Sequence, residues 1–312
     1  MAETNQALTE GRTAAARKIS LGMKKKGNII KAVTIIILAI WGIITLLPIL
    51  FVVFTAFKTD PEISLAGFKW LPSSFFNVES FIQAWHMGDW LNYFKNSIVI
   101  TVVVVVGSLI VNSIAGYSFA RLNFRGRNVL FMIILIGMMV SPQSIVIPQF
   151  VMLRSFPLAG GNNILGQGGT GLLDSYAALI IPFLAGSFGI FLCRQFYTSF
   201  PRELDEAARI DGCGPFKTYL YIFLPMSKTI LATLTILKGV ATWNDFFYPL
   251  IMTSSERMKT IQLGLQMFRG STATHYNWLM AATLMTSIPM VILYFCAQKY
   301  FVQGIASTGM KN

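Results

Sequence analysis

Long apolar stretches alternate with short polar ones along this chain, and that alternation sets the fold class. No Asp, Glu, Lys or Arg interrupts the runs between Lys31 and Lys58, Lys95 and Arg121, Arg127 and Arg154, or Arg269 and Lys299. Each run is long enough for a helix of about 20 residues to cross a bilayer. Ser175 to Cys193, between Asp174 and Arg194, supplies another span. A further one, about Thr229 to Thr253, is apolar except for Lys238 and Asp245. The expected count is six. Hydrocarbon offers no partner for a loose backbone group, so the spans are expected to form an all-α integral membrane bundle.

The polar segment between the fourth and fifth spans has its own pattern. Ser199 and Pro201 read as a helix start, with Glu203 and Asp205 in a first turn that suits the helix dipole. Leu204, Ala207 and Ala208 share one face. Gly212 stands where a helix end favours a left-handed residue, and Pro215 opens a second helix. Phe216, Tyr219, Leu220 and Phe223 then repeat at i, i+3, i+4, i+7 until Pro225 stops the stripe. Local physics alone predicts two short helices joined by a glycine elbow, an arrangement open to any helical protein.

Composition agrees with a membrane location: 54% of residues are hydrophobic and 12% charged. The formal net charge of +12 is unevenly placed along the chain. Arg12, Arg17, Lys18, Lys24, Lys25, Lys26 and Lys31 precede the first span, Arg121, Arg125 and Arg127 follow the second, and further basic residues lie from Arg194 to Lys228. The other loops hold only Lys58, Lys69, Lys95, Arg154, Arg257, Lys259 and Arg269. By the positive-inside rule both termini of this multi-pass chain are expected in the cytoplasm. The first span starts too far in and runs too long for a cleavable leader. The basic excess follows the membrane edges and lacks aromatic interleaving, so no nucleic-acid partner is expected, only membrane lipid.

Candidate chemistry is sparse. Cys193, Cys213 and Cys296 fit neither a metal site nor a disulfide framework, and His86 and His275 stand apart on two outer loops. No P-loop, nucleophile elbow or carboxylate cluster is present, so no catalytic residue, metal or cofactor is expected in this chain. Intramembrane charges are functional candidates by default, which marks Lys238 and Asp245. A structural Lys that snorkels or pairs within the bundle is the competing reading. Trp243 and Asn244 sit beside them, and Tyr93, Phe246 and Tyr248 add aromatic faces for stacking or interfacial anchoring. In the last outer loop Ile261, Leu263, Leu265 and Met267 alternate like a short extended segment with one apolar edge. That edge is a candidate docking surface, or else a packing segment. Six glycines between Gly160 and Gly171 read as a mobile outer loop or an insertion.

The run Glu206-Ala207-Ala208-Arg209-Ile210-Asp211-Gly212, followed by Ile222-Phe223-Leu224-Pro225, resembles the EAA loop of ABC importer permeases. From about Pro48 to Asn312 the chain is similar to maltose-type carbohydrate permeases, specifically the shorter six-span partner of the pair. Phe57-Lys58-Thr59-Asp60, Asn96-Ser97, Ala120-Arg121-Leu122, Phe124-Arg125-Gly126-Arg127, Pro142-Gln143, Trp243-Asn244-Asp245-Phe246 and the ending Gln298 to Gly304 fit in order and spacing. Cys213 where alanine is usual, the longer glycine-rich loop and Lys238 depart from that pattern.

The resemblance implies a type I ABC importer permease fold. It divides the chain into a flexible cytoplasmic tail (1–28), a first helix with its outer loop (29–95), a permease core (96–301) with the coupling loop at 201–225, and a cytoplasmic tail (302–312). It implies a heterodimer with a second permease subunit, two ATPase subunits that carry ATP and Mg, and an extracytoplasmic sugar-binding protein. ATPase coupling would fall to Glu206, Ala207, Ala208, Asp211, Gly212, Phe216, Tyr219, Leu220 and Pro225. The translocation path would draw on Lys238, Trp243, Asn244 and Asp245, and binding-protein docking on Leu263, Leu265 and Met267. The last residues, Gly309 to Asn312, would reach toward the ATPase. The reading from a different class is an ion-coupled secondary transporter or channel built on Lys238 and Asp245.

Overall fold

The computed structural model describes residues 30–64, 69–269 and 275–309, and those residues fold into helices. The tail at 1–28 and residues 310–312 lie outside them. The first span, α1 (Ile30–Ala56), has a mean hydropathy of 2.9, and its apolar stretch is entirely exposed. At one end of it Phe54 and Phe57 meet Phe75 edge-on at 5.8 and 6.1 Å. A short outer helix, α2 (Glu79–His86), leads into α3 (Trp90–Arg121), whose first turn is capped by Asp89 accepting from the Asn92 amide.

The α3 helix is the spine of the molecule because its buried polar side chains tie down each neighbour in turn. Asn96 donates to the carbonyls of Arg257 and Lys259, both at 2.8 Å, and accepts from Tyr176 Oη at 2.6 Å. Ser97 accepts from the Ile261 amide at 2.9 Å, and Asn112 from the Gly186 amide at 3.0 Å. Ser113 Oγ lies 2.8 Å from Tyr197 Oη and 2.9 Å from Tyr219 Oη. Such interhelical bonds contribute about 0.6 kcal/mol each on average in a bilayer. Their sum sets register more than stability.

The charge-free run from Arg127 to Arg154 is not one straight span. It forms α4 (Arg127–Gly137) and α5 (Pro142–Arg154), bent by 104° to each other. Ser141 is extended (ψ 130°) ahead of Pro142, as the proline ring requires of its predecessor. The fourth span is α6 (Tyr176–Ile180), a 3₁₀ turn at Ile181–Phe183, and α7 (Ser187–Thr198). The helix α7 packs along α3, where Gly189 admits the Asn112 side chain.

The glycine-rich loop is tightly hydrogen-bonded. Asn162, buried, donates to the carbonyls of Arg154 (2.7 Å) and Phe156 (3.0 Å) and accepts from the Gly169 amide (2.7 Å). Gly171 has φ +61°, and a Cβ there would collide with the last carbonyls of α5.

The fifth span is shorter than expected. After the short helix α8 (Glu203–Ile210), the helix α9 (Lys228–Trp243) stops at Asn244, and a separate α10 (Phe247–Met252) follows. Lys238 and Asp245 are therefore not on one continuous helix face. Finally α11 (Tyr276–Gly309) packs on α9 and α2 and continues through residues 302–309, past the boundary expected at 301. Among the described residues four helices are long and apolar enough to cross a membrane, or up to six if each bent pair counts as one span.

Candidate functional site

The polar island forms the two helices its pattern predicts. At the end of α8 the Gly212 amide donates to Arg209 O (3.0 Å) and the Cys213 amide to Ala208 O (2.8 Å). Gly212 adopts φ +73°, the left-handed conformation, and a Cβ there would meet no other atom of this chain. Its glycine requirement thus comes from backbone strain, and open space is left for whatever approaches from outside. Glu206, Ala207, Asp211 and Gly212 are exposed, and Ala208 is buried.

The return segment is not one regular helix. Pro215–Thr218 is α-helical, Tyr219–Phe223 winds as a π-helix, and Leu224–Met226 resumes the α form. The wider winding divides the expected apolar stripe. Phe216 (66%), Leu220 (38%) and Tyr221 (71%) are exposed, but Tyr219 and Phe223 are buried in the chain's own core. There they pack with Tyr117 and Tyr197. Tyr219 and Phe223 therefore do not face outward with Phe216 and Leu220; Pro225 is exposed at the turn into α9.

Arg121, the last residue of α3, holds this island in place. It is 6% exposed, its Nη1 donates to Phe200 O at 3.1 Å and its Nη2 to Pro201 O at 2.6 Å. The same Nη2 lies 3.1 Å from Asp205 Oδ2, and the guanidinium carbon is 4.9 Å from the centre of the Phe223 ring. One side chain thereby joins the spine, the lead-in to α8, its first turn and the return segment. Arginine suits this because its planar fork offers several donors in fixed directions. Sequence reasoning placed Arg121 in a motif without a role. The only available signal was a basic residue ending a charge-free run near an acidic helix start.

At the other end of α9, Lys238 and Asp245 line one cavity of about 170 Å³ together with Ser97, Phe183, Tyr248 and Thr260. Lys238 Nζ lies 5.4 Å from the centre of the Phe183 ring, and among the described residues no carboxylate pairs with it. The helix break brings Asp245 to the same wall, where its Oδ1 accepts from the Tyr248 amide at 3.2 Å. Trp243 and Asn244 are not part of this wall. Trp243 is buried and donates to Thr286 O at 3.1 Å; Asn244 is exposed and accepts from Gln262 at 3.2 Å.

The last outer loop is helical where an extended edge was expected. Ile261–Gly264 is α-helical and Leu265–Phe268 is 3₁₀. Leu263 is buried, and Leu265 and Met267 pack on the core around Trp90 and Tyr93. A 3.6-residue winding over Gly264, which lies against the Tyr93 ring, turns these side chains inward. They offer no free apolar edge. Tyr93 itself hydrogen-bonds Glu256 at the rim of this packing.

An exposed amphipathic helix, strapped by Arg121 to a membrane-spanning spine that also lines a polar cavity, is one connected device. The family model for the inner membrane component of binding-protein-dependent transport systems matches residues 112–307. The chain belongs to this family. Among similar proteins, the probable ABC transporter permease protein YurM of Bacillus subtilis is 36% identical over 267 residues, covering 85% of this permease and 83% of that one. The arabinooligosaccharides transport system permease protein AraQ of Halalkalibacterium halodurans is 31% identical, covering 86% and 92%. The crystal structure of a bacterial ABC transporter that imports the acidic polysaccharide alginate contains a chain 25% identical to this permease. They superpose with a TM-score of 0.74 over 88% of this chain and 97% of that one. This permease is thus a multi-pass, all-α membrane protein with an ABC importer permease fold, a transport subunit of a binding-protein-dependent system. The ion-coupled transporter reading falls with that membership.

Proposed function

We propose that this permease is one half of the channel in an ATP-driven carbohydrate importer, pairing with a second permease subunit as a heterodimer. Two separate ATPase subunits supply ATP and Mg chemistry, and an extracytoplasmic binding protein delivers the sugar, in keeping with an oligosaccharide cargo. The termini lie in the cytoplasm of a bacterial cell, with the cytoplasmic membrane around the spans. Support for the sugar comes from the relatives: the AraQ proteins are named for arabinooligosaccharides, a permease of Rhizobium radiobacter for lactose, and the solved importer takes alginate.

The observation that carries the coupling assignment is the face that α8 leaves open. Glu206, Ala207 and Asp211 point away from this chain, with Gly212 unobstructed beside them and Phe216 and Leu220 exposed on the return. An ATPase that closes on ATP would move this face, and the Arg121 strap would pass the motion to α3. Nucleotide and cavity then bias the same two-state element, which is what allosteric coupling requires.

The test is retention of the ATPase by purified complexes, together with uptake into vesicles. Glu206→Lys reverses a charge on the open face, and Gly212→Asp costs about 1 kcal/mol or more in the left-handed conformation. Both variants are expected to insert and to keep the partner permease, yet to lose the ATPase or to hydrolyse ATP without transport. Wild-type retention and uptake in both would overturn the coupling assignment. Uptake that follows ATP and survives a protonophore is the matching expectation for the energy source.

A further inference from the structure

The glycine-rich loop between α5 and α6 is the motif that the transport reading leaves unused. It begins at the end of α5 and runs into Tyr176–Thr198, a segment long and apolar enough to cross the membrane, beyond which lies α8. The loop therefore sits where the chain leaves the bilayer, on the side opposite α8. Residues 155–173 carry no Asp, Glu, Lys or Arg. Most of its amides bond within the loop. Those of Asn162, Asn163, Gly166 and Thr170 donate to loop carbonyls, and those of Leu165 and Gln167 to Asn163 Oδ1 at 2.9 and 3.0 Å.

What the loop shows outward is aliphatic. Leu158, Ile164 and Leu165 are 77, 77 and 78% exposed, and the Leu158 amide donates to Asn163 O at 3.3 Å, which sets the three close together. Leu158 holds φ +59°, a rare conformation for a bulky residue. Phe156 at the start of the loop and Met152 on the last turn of α5 are exposed as well, so apolar surface continues from the helix toward the tip.

We propose that this loop is an interfacial anchor, its tip of Leu158, Ile164 and Leu165 seated at the boundary between head groups and acyl chains of the leaflet remote from α8. Three features single out lipid as the partner. The boundary offers a loose amide few partners, and here the loop supplies its own. A soluble protein that docks and leaves is commonly steered by charge, and this segment has none. Its apolar surface also continues a helix that stands in the bilayer. Lacking charge, the anchor holds equally on neutral and anionic head groups, unlike a basic interfacial helix. It fixes the joined ends of α5 and α6 at the membrane surface.

The test uses the assembled complex in phosphatidylcholine nanodiscs, made with and without phosphatidylglycerol. A nitroxide is attached at Ile164→Cys, at Leu165→Cys or, as a control on another exposed loop, at Ser74→Cys. The background carries Cys213→Ala and Cys296→Ala, and the signal of that parent is subtracted. Ile164 and Leu165 are so exposed that their replacement is expected to leave the complex at normal yield. Power saturation compares collisions with oxygen, which gathers in lipid, and with a nickel chelate confined to water. Oxygen should dominate at 164 and 165, at a depth of about 5–10 Å into the boundary, in both lipid mixtures. Nickel should dominate at Ser74. Adding Ile164→Asp to the Leu165→Cys variant should lift the label into the layer that nickel reaches. Nickel access at 164 and 165 equal to that at Ser74 would overturn the anchor. Protection from both reagents before any binding protein is added would give the tip to the second permease subunit. Protection gained only on adding the binding protein would give it to that protein, and either result sinks the lipid assignment. Seating that needs phosphatidylglycerol would overturn the uncharged contact. None of these readouts depends on the cargo, so a failed carbohydrate reading leaves the anchor standing.

Discussion

Arg121 is the residue on which the packing around α8 depends, and its contacts allow a graded expectation. Truncation to alanine strands Asp205 beside two carbonyls and removes the cation from the Phe223 face. Hydrogen bonds to charged groups are worth about 1.5–3 kcal/mol each, so Arg121→Ala should cost on the order of several kcal/mol locally. Arg121→Lys keeps the charge and loses the fork, and is expected to fall between the two. In the purified complex, thermal melting should order wild type above Arg121→Lys above Arg121→Ala. Asp205→Asn should show a deficit that is not additive with Arg121→Ala, since the two groups share one interaction. Additive losses would mean that the pair does not couple. Little of this could be read from the sequence, because a basic residue at a span end is equally well explained by topology alone.

At the scale of elements, legibility followed how local the controlling physics is. The α8 helix and its Gly212 elbow are set by an acidic first turn and by a left-handed glycine within a few positions, and they lie close to where the pattern puts them. Breaks inside apolar runs depend on fewer signals. Ser141-Pro142 marks the bend in the third span, but hydropathy passes over it, and nothing local announces that α9 stops at Trp243. The loop at 261–268 misled because Leu263, Leu265 and Met267 alternate in sequence while the chain there is helical and packed on Trp90.

The outer loop after α1 gives a pH expectation of its own. Glu62 accepts from the amides of Thr59 (2.8 Å) and Ser73 (2.9 Å) and from both hydroxyls. The Ser73 hydroxyl bond, with help from the Thr59 amide, holds its carboxyl down at about 2. A pKa below the ordinary carboxylate value adds stability that is full above about pH 4.5 and fades as pH falls toward 2. Hydrogen exchange at the Thr59 and Ser73 amides, corrected for intrinsic rate, should therefore stay protected at pH 6 and lose protection between pH 4.5 and 2. Glu62→Gln should show the reduced protection already at pH 6.

At the scale of the whole molecule α3 is a spine, and the positive charges give the expectation for which of its ends faces the cytoplasm. Ser74 lies on the exposed outer loop, and Ser307 falls in the last helix turns. With both termini inside, a cysteine at Ser74 should react with an impermeant maleimide added to intact cells, and one at Ser307 should react only after lysis. The reverse pattern would invert the topology. Four spans, or six with each bent pair counted as one, were legible because length and apolarity are whole-segment properties. The cavity was not, because it needs Ser97, Phe183, Tyr248 and Thr260 from four separate segments.

The π-helical winding at Tyr219–Phe223 has a consequence for how force leaves the cytoplasmic end. A π turn holds one residue more than the α turn it replaces, so it works as a phase setter in the thread between α8 and α9. Losing that residue, by deletion of the exposed Tyr221 for instance, would let the segment relax to ordinary winding. Everything before it would then turn by about 100° relative to α9 and draw in by about 1.5 Å. The open face of α8 and the helix α9 would both survive intact, but out of step with each other, like a gear remounted one tooth off.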